Sequence, residues 1–306
     1  MRRAGPIGAV PAALLGVTMF FWGTAFRATA VGAQHASPIV FSTLRAAPAT
    51  VALLAVTVLT RARLPRDRRT LIVGAISGIL TVSLTFEGIA EATRLAGPGN
   101  AAVLTNTAPF FTVLFAWLAL GSHTPRIAIG GLVVGFTGVV VMVSSQLGGG
   151  SLGHLALGMA IALLTAAGFA IGALMIARAA SRDPGLDMFG FTTFQYMIGL
   201  LALAALMAIY GHPQTADWGS TALWEAVAWV ALGSSATASI CFNLALRRIS
   251  AARATAWQFL APVVAVVVEA ARGNAPGAVV IGGMALAIAG VAVVSLAHSA
   301  TESVPA

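Results

Sequence analysis

Long apolar runs, separated by short gaps rich in Gly, Pro or Arg, recur along the chain from Val10 to Ala297. A run of about 20 apolar residues is the length a helix needs to cross a ~30 Å hydrocarbon layer. Cutting the chain at its Gly, Pro and polar clusters predicts ten such spans, over 10–30, 37–60, 71–93, 100–120, 127–146, 152–177, 188–210, 223–246, 254–271 and 278–297. Stretches such as 130–143 and 155–177 stay apolar on every face, whereas a membrane barrel alternates polarity over ten-residue segments. The expected fold class is therefore all-α integral membrane, with about ten transmembrane helices.

Composition points the same way. Hydrophobic residues make up 58% of the 306 residues and charged ones 8%, against about 25% charged in an ordinary soluble domain. The formal charge of +8 does not indicate nucleic acid, because that reading needs a basic face on a folded soluble domain. All 17 basic residues are arginine, and the single cysteine, Cys241, cannot form an intramolecular disulfide. Arg2, Arg3 and the first apolar run, followed by Ala28-Thr29-Ala30, imitate a cleaved secretory signal. Arg27 interrupts that run and many spans follow, so a retained first helix is expected.

Cytoplasmic loops collect Lys and Arg. With the N-terminus placed inside and the sides alternating, Arg2, Arg3, Arg61, Arg63, Arg66, Arg68, Arg69, Arg126, Arg178, Arg182, Arg247, Arg248 and Arg253 fall inside. Only Arg94 and Arg272 fall outside, and Arg27 and Arg45 lie within spans. Both termini are expected in the cytoplasm.

The two halves of the chain echo each other. Residues 100–109 (Asn-Ala-Ala-Val-Leu-Thr-Asn-Thr-Ala-Pro) share their spacing with residues 253–262 (Arg-Ala-Thr-Ala-Trp-Gln-Phe-Leu-Ala-Pro), which sets Pro109 and Pro262 inside spans 4 and 9. Phe20-Phe21-Trp22-Gly23 in span 1 is matched by Ala167-Gly168-Phe169-Ala170 in span 6, and spans 5 and 10 are both rich in glycine. Five spans per half make the second copy enter the membrane from the opposite side, and such inverted repeats mark transporters. The expected division is a first five-helix repeat over 1–147, a Gly-rich linker over 148–151, a second repeat over 152–298 and a cytoplasmic tail over 299–306.

With these features in place, the chain resembles the EamA type of the drug/metabolite transporter superfamily. The resemblance is carried by Trp22-Gly23-Thr24-Ala25-Phe26, Ser37-Pro38 followed by Leu44-Arg45, Pro109-Phe110-Phe111, Ala245-Leu246-Arg247-Arg248-Ile249-Ser250 and Leu260-Ala261-Pro262-Val263-Val264-Ala265. Members commonly carry Gly-Glu at the ends of spans 4 and 9, where this chain has Gly121-Ser122 and Gly273-Asn274; a role resting on that glutamate is absent here. The resemblance implies a secondary transporter that exports or imports small metabolites, including amino acids, driven by protons or by the substrate gradient alone; export across a bacterial cytoplasmic membrane is the expected function. It does not choose the substrate.

Ionisable side chains inside spans are functional candidates by default, because each costs about 2.5–3.5 kcal/mol at the bilayer centre. Arg27, Arg45, Glu87 and Glu91 qualify. At ~1.5 Å per residue, Arg27 and Glu87 share a depth, ~23–24 Å from the inner edge. Glu91 follows Glu87 by one turn on the same face. The matching positions in the second half are uncharged: Gln195 for Arg45, Ile240 for Glu87, Leu244 for Glu91 and roughly Leu174 for Arg27. Glu87, with Glu91, is the candidate proton or ion relay. Arg27 is read either as the countercharge of Glu87 or as a ligand for a substrate carboxylate or phosphate, and Arg45 as a structural or substrate-binding cation.

Polar groups before the two prolines form a second candidate set. Thr105, Asn106 and Thr107 precede Pro109, and Trp257 and Gln258 precede Pro262. A helix-breaking proline frees a carbonyl one turn earlier, which suits a midplane binding cavity in which Trp22, Arg27, Arg45, Asn106, Trp257 and Gln258 bind substrate. Spans 1, 3, 6 and 8 are expected to complete its wall, with spans 5 and 10 at the periphery. Gly131, Gly135, Gly282, Gly283 and Gly290 are read first as close-packing positions, with a homodimer left open. The five histidines never pair at i,i+4, so no metal is expected. The absence of lysine removes a Walker A motif, and no cofactor is expected. The expected partners are a small-molecule substrate, the lipid bilayer and, as a candidate, protons. A membrane-embedded enzyme or a scaffold is the alternative, weakened because no Asp lies within a span.

Overall fold

The computed structural model describes residues 8–121, 124–144, 152–273 and 275–297. Arg2, Arg3, Ser122, His123, Asn274, His298, the whole 148–151 linker, the 299–306 tail and both termini lie outside the described residues. Every regular element among the described residues is helical, as expected where the solvent cannot hydrogen-bond a backbone and each N–H must be satisfied within its own helix. Among the described residues, ten helices are long and apolar enough to span a membrane. They are α1 (Ala9–His35), α2 (Pro38–Leu59), α3 (Arg68–Ala96), α4 (Gly99–Ala119), α5 (Arg126–Val143), α6 (Leu152–Arg182), α7 (Met188–Tyr210), α8 (Thr221–Leu246), α9 (Ala251–Ala271) and α10 (Ala278–Ala297).

Helix starts are written locally. Asp67 accepts a hydrogen bond from the Thr70 backbone N–H at 2.9 Å and opens α3. Those bonds to Thr70 hold its carboxyl below the usual range. Asp187 opens α7 by accepting from the N–H groups of Phe189 and Gly190. It also accepts from Arg63 N–H at 2.9 Å, tying α7 to the α2–α3 connection. Side-chain acceptors of this kind satisfy donors that a helix start leaves orphaned.

The inverted repeat is visible in helix irregularities as well as in helix number. α3 carries a π-helical stretch over Ile79–Leu84, and α8 carries one over Trp229–Thr237. α4 breaks at Asn106–Thr107, and α9 tightens into a 3₁₀ turn over Trp257–Phe259. α4 is followed by Gly121 at φ 62° and α9 by Gly273 at φ 94°, left-handed positions that favour glycine. One expectation is corrected here. The helices do break just before Pro109 and Pro262, but the prolines free no carbonyl from an intact helix; each stands in the first turn of a new segment, Ala108–Leu120 or Leu260–Ala271, where a missing N–H leaves no broken bond.

α5 and α10 form the tightest pair. A Cβ placed on Gly138 would lie 2.4 Å from Ala287 N and 2.5 Å from Gly283 O, and one on Gly290 2.4 Å from Gly135 Cα. The stripe of Gly131, Gly135 and Gly138 is therefore used inside the chain, while Gly130 and Gly282 face open space. Large apolar side chains such as Leu118, Val133, Leu164, Ile281 and Leu296 are exposed and supply the surface that lipid covers. A second correction concerns Arg253, expected in a solvated loop. It lies in the first turn of α9 and is only 4% exposed.

Candidate functional site

A cavity of about 1010 Å³ opens between the two repeats. Its mouth lies where α1 ends and α2 begins, at His35, Ser37 and Pro38, and is flanked by Arg94 of α3 and by Thr215 and Asp217 of the α7–α8 connection. Its walls descend past Thr165, Asn106 and Gln258 to Trp22, Phe169, Gln195 and Asn243. Ile176 lines its deep end, and beyond it the bundle is closed by a packed cluster that includes Leu15, Leu186, Met188, Phe191 and Leu246. The cavity is thus open on one side and sealed on the other.

Four of the substrate-site candidates, Trp22, Arg45, Asn106 and Gln258, line this cavity, as does the helix-break residue Pro262. Trp22 meets Phe169 edge to face at 5.8 Å and Phe242 at 5.2 Å, and its Nε1 donates to Ser234 O at 3.1 Å. Arg45 Nε donates to Ser235 Oγ at 2.7 Å and Nη2 to Ser234 Oγ at 2.8 Å, while the guanidinium carbon lies 3.9 Å from the centre of the Phe86 ring. Asn106 sits at the break in α4, where its Nδ2 donates back to Ala102 O at 2.8 Å. Gln258 Oε1 is buried and accepts no hydrogen bond from a described residue.

Other candidates lie elsewhere. Arg27 is exposed and pairs at 3.1 Å with Glu269 of α9, which Arg272 also contacts at 3.1 Å. It is not the countercharge of Glu87, because α1 turns this residue toward the C-terminal end of α9. Trp257 is absent from the cavity wall and packs within the cores beside α9, with its Nε1 buried and without a hydrogen-bond acceptor among the described residues. Pro109 does not line the cavity either. Glu91 pairs with Arg94 along α3. Glu87 is half-buried beside Ser42 of α2, forms no ion pair among the described residues and leaves Oε2 without a donor.

Several polar groups of the site were not singled out from sequence. Gln195 Nε2 donates to Ser77 Oγ at 2.7 Å, and its Oε1 accepts from Asn243 Nδ2 at 2.8 Å. Tyr196 bonds Ser235 O and Ser239 Oγ. At the mouth, His35 Nδ1 lies 3.2 Å from Asp217 Oδ2, and the Asp217 N–H donates to His35 O at 2.8 Å. Ser220 Oγ is 3.4 Å from His35 Nε2 and serves as the cap of α8 by accepting from Leu223 N–H, so the three side chains clasp the end of α1 to the start of α8. The visible signal for the deeper network was a set of hydroxyl and amide residues inside otherwise apolar runs, Ser234-Ser235 above all. Among the described residues no cluster of His, Cys, Asp and Glu could hold a metal ion. α2 and α7 also line the cavity, through Phe41, Arg45, Gln195 and Tyr196, and α5 contributes Met142 and Val143. The wall is therefore wider than spans 1, 3, 4, 6, 8 and 9.

Comparison with known proteins agrees with this architecture. The chain is 27% identical over 254 residues to the uncharacterized inner membrane transporter YedA of Escherichia coli (strain K12), covering 83% of this chain and 79% of that one. It is 24% identical over 261 residues to the uncharacterized transporter YvbV of Bacillus subtilis (strain 168), covering 84% and 81%. One crystal structure shares the fold with a TM-score of 0.79 at 19% identity, over 94% of this chain and 97% of the other. The model of the EamA-like transporter family matches twice, over residues 10–144 and 156–296. With ten helices able to span a membrane among the described residues and two matches to the family model, one in each half, the chain belongs to the EamA-like transporter family.

Proposed function

We propose that the chain is a secondary transporter that exports small metabolites, such as amino acids or related organic compounds, across a bacterial cytoplasmic membrane. The observation that carries this reading is the cavity of about 1010 Å³, lined by both repeats and closed at one end. Its volume suits a small organic molecule, and its position between inverted halves suits alternating access, in which rocking of the repeats moves the opening from one side to the other. The arginine distribution supports placing both termini in the cytoplasm, which makes the opening face outward. Trp22, Arg45, Asn106 and Gln258 are the proposed substrate contacts. Glu87 is the proposed proton carrier, a carboxylate without a cation partner among the described residues beside the cavity wall.

Purified protein in proteoliposomes, loaded with a panel of amino acids and organic acids and bases and carrying a pH-sensitive dye, tests the proposal. Counterflow of at least one substrate class is expected. No flux for any class with folded protein overturns it and favours a non-transporting scaffold or an enzyme. A reporter active only outside the cytoplasm, fused to the C-terminus, should stay silent; activity would overturn the orientation.

A further inference from the structure

Resting on the transport reading, we infer that the substrate carries a single carboxylate that seats on Arg45, with an apolar body against Trp22, Phe169 and Phe242. The deep wall of the cavity holds one formal charge among the described residues, the Arg45 guanidinium. The charged groups at the mouth have partners of their own: Arg94 pairs with Glu91, and Asp217 Oδ2 lies 3.2 Å from His35 Nδ1. Arg45 has none among the described residues: two of its nitrogens donate to the neutral hydroxyls of Ser234 and Ser235, and the Phe86 ring covers one face of the guanidinium plane. Nη1 donates to no described residue. A guanidinium stays protonated and carries five N–H groups, so donors remain for a ligand, in a geometry that matches a carboxylate bidentately.

Charge arithmetic selects the head group. One unneutralised cation in an apolar span is costly, and a monoanion cancels it; a phosphate dianion would leave a net negative charge. The matching place in the other repeat is neutral and already satisfied, with Gln195 bonded to Ser77 and Asn243, so it offers no second anion site. The body of the ligand follows from what adjoins Arg45. Ser234 accepts from Arg45 on its hydroxyl and from Trp22 Nε1 on its carbonyl, which places the guanidinium beside the indole. Trp22, Phe169 and Phe242 form one aromatic cluster there. The carboxyl end therefore meets a cation, and the next atoms meet apolar rings.

Binding to the full chain in lipid nanodiscs tests this by thermal shift and tryptophan fluorescence. The probes are 3-phenylpropionate, its amide and 3-phenylpropylamine, three ligands of one body and different charge. The carboxylate is expected to bind at least tenfold more tightly than the other two. Arg45→Gln should remove that preference, whereas Arg45→Lys should keep part of it. Should Arg45→Gln fail to fold, Ser234→Ala with Ser235→Ala retains the charge and should weaken carboxylate binding without favouring the amine. Equal binding of amide or amine, unchanged preference in Arg45→Gln, or no carboxylate binding at millimolar concentration overturns the inference. The two readings fail separately: carboxylate binding without flux in proteoliposomes removes transport alone, and flux of neutral or cationic substrates only removes the carboxylate assignment alone.

Discussion

Trp22 and Phe169, which hold matching places in the two repeats, touch edge to face with ring centres 5.8 Å apart. The inverted copies thus meet through equivalent side chains at the floor of the cavity. Trp22→Phe keeps a ring for Phe169 and Phe242 but loses the bond to Ser234 O. Trp22→Ala loses both. Substrate uptake by proteoliposomes should show a moderately raised KM for the first and a loss of tenfold or more in kcat/KM for the second, with both proteins folded.

Glu87→Gln preserves size and removes titration. Coupled transport in this variant should lose its pH dependence. Since Arg27 pairs with Glu269 and not with Glu87, the substitution should leave expression intact, and double removal of Arg27 and Glu87 should give no rescue. Arg27→Ala breaks only an exposed pair, worth about 0–1 kcal/mol. An unchanged pH profile in Glu87→Gln would falsify the relay.

The α5–α10 seam permits a sharp contrast. Gly138→Val inserts atoms where a Cβ already sits 2.4 Å from Ala287 N, and overpacking of this kind costs about 1–3 kcal/mol. Gly282→Ala meets nothing within 4 Å. Melting in detergent should fall clearly for the first and hardly move for the second.

Asp187→Ala removes the acceptor shared by Phe189, Gly190 and Arg63 N–H groups. The loss of a helix cap is worth about 1 kcal/mol, and amide exchange at all three positions should quicken. Asp67 behaves differently with pH, because its carboxyl is held below the usual range by Thr70. Its contribution is complete above the ordinary carboxylate range and is lost as pH falls through that range toward its own lower value. Exchange of the Thr70 amide, compared with that in Asp67→Asn, should report this.

Much of the fold could be read from run lengths alone. Residues 188–210 and 278–297 bound two helices in sequence and in structure alike, since their ends carry abrupt polar or Gly-Pro breaks. α1 instead runs on to His35 and α6 to Arg182, because alanine-rich segments carry a helix past the point where hydrophobicity fades. The site was legible in depth but not in direction. Trp22, Arg45, Asn106 and Gln258 reach the cavity, while Arg27 and Trp257 sit at suitable depths on other faces. A helix apolar all round shows no stripe marking its inward side; neighbouring helices decide it, and here they do so through glycine contacts spread over the whole chain.

The π-helical stretch of α8 has a bearing on how this region tolerates length change. A π turn holds one more residue than an α turn, and Trp229–Thr237 accommodates the surplus just where Ser234 and Ser235 both turn to Arg45. Deleting one residue inside this stretch can be absorbed by reversion to α-helix, leaving the faces of Phe242 and Asn243 where they are. The same deletion two turns later would rotate every following side chain by about 100° about the helix axis. Length variation in α8 is thus confined to a single window, and its first casualty is the pair of hydroxyls that hold the guanidinium.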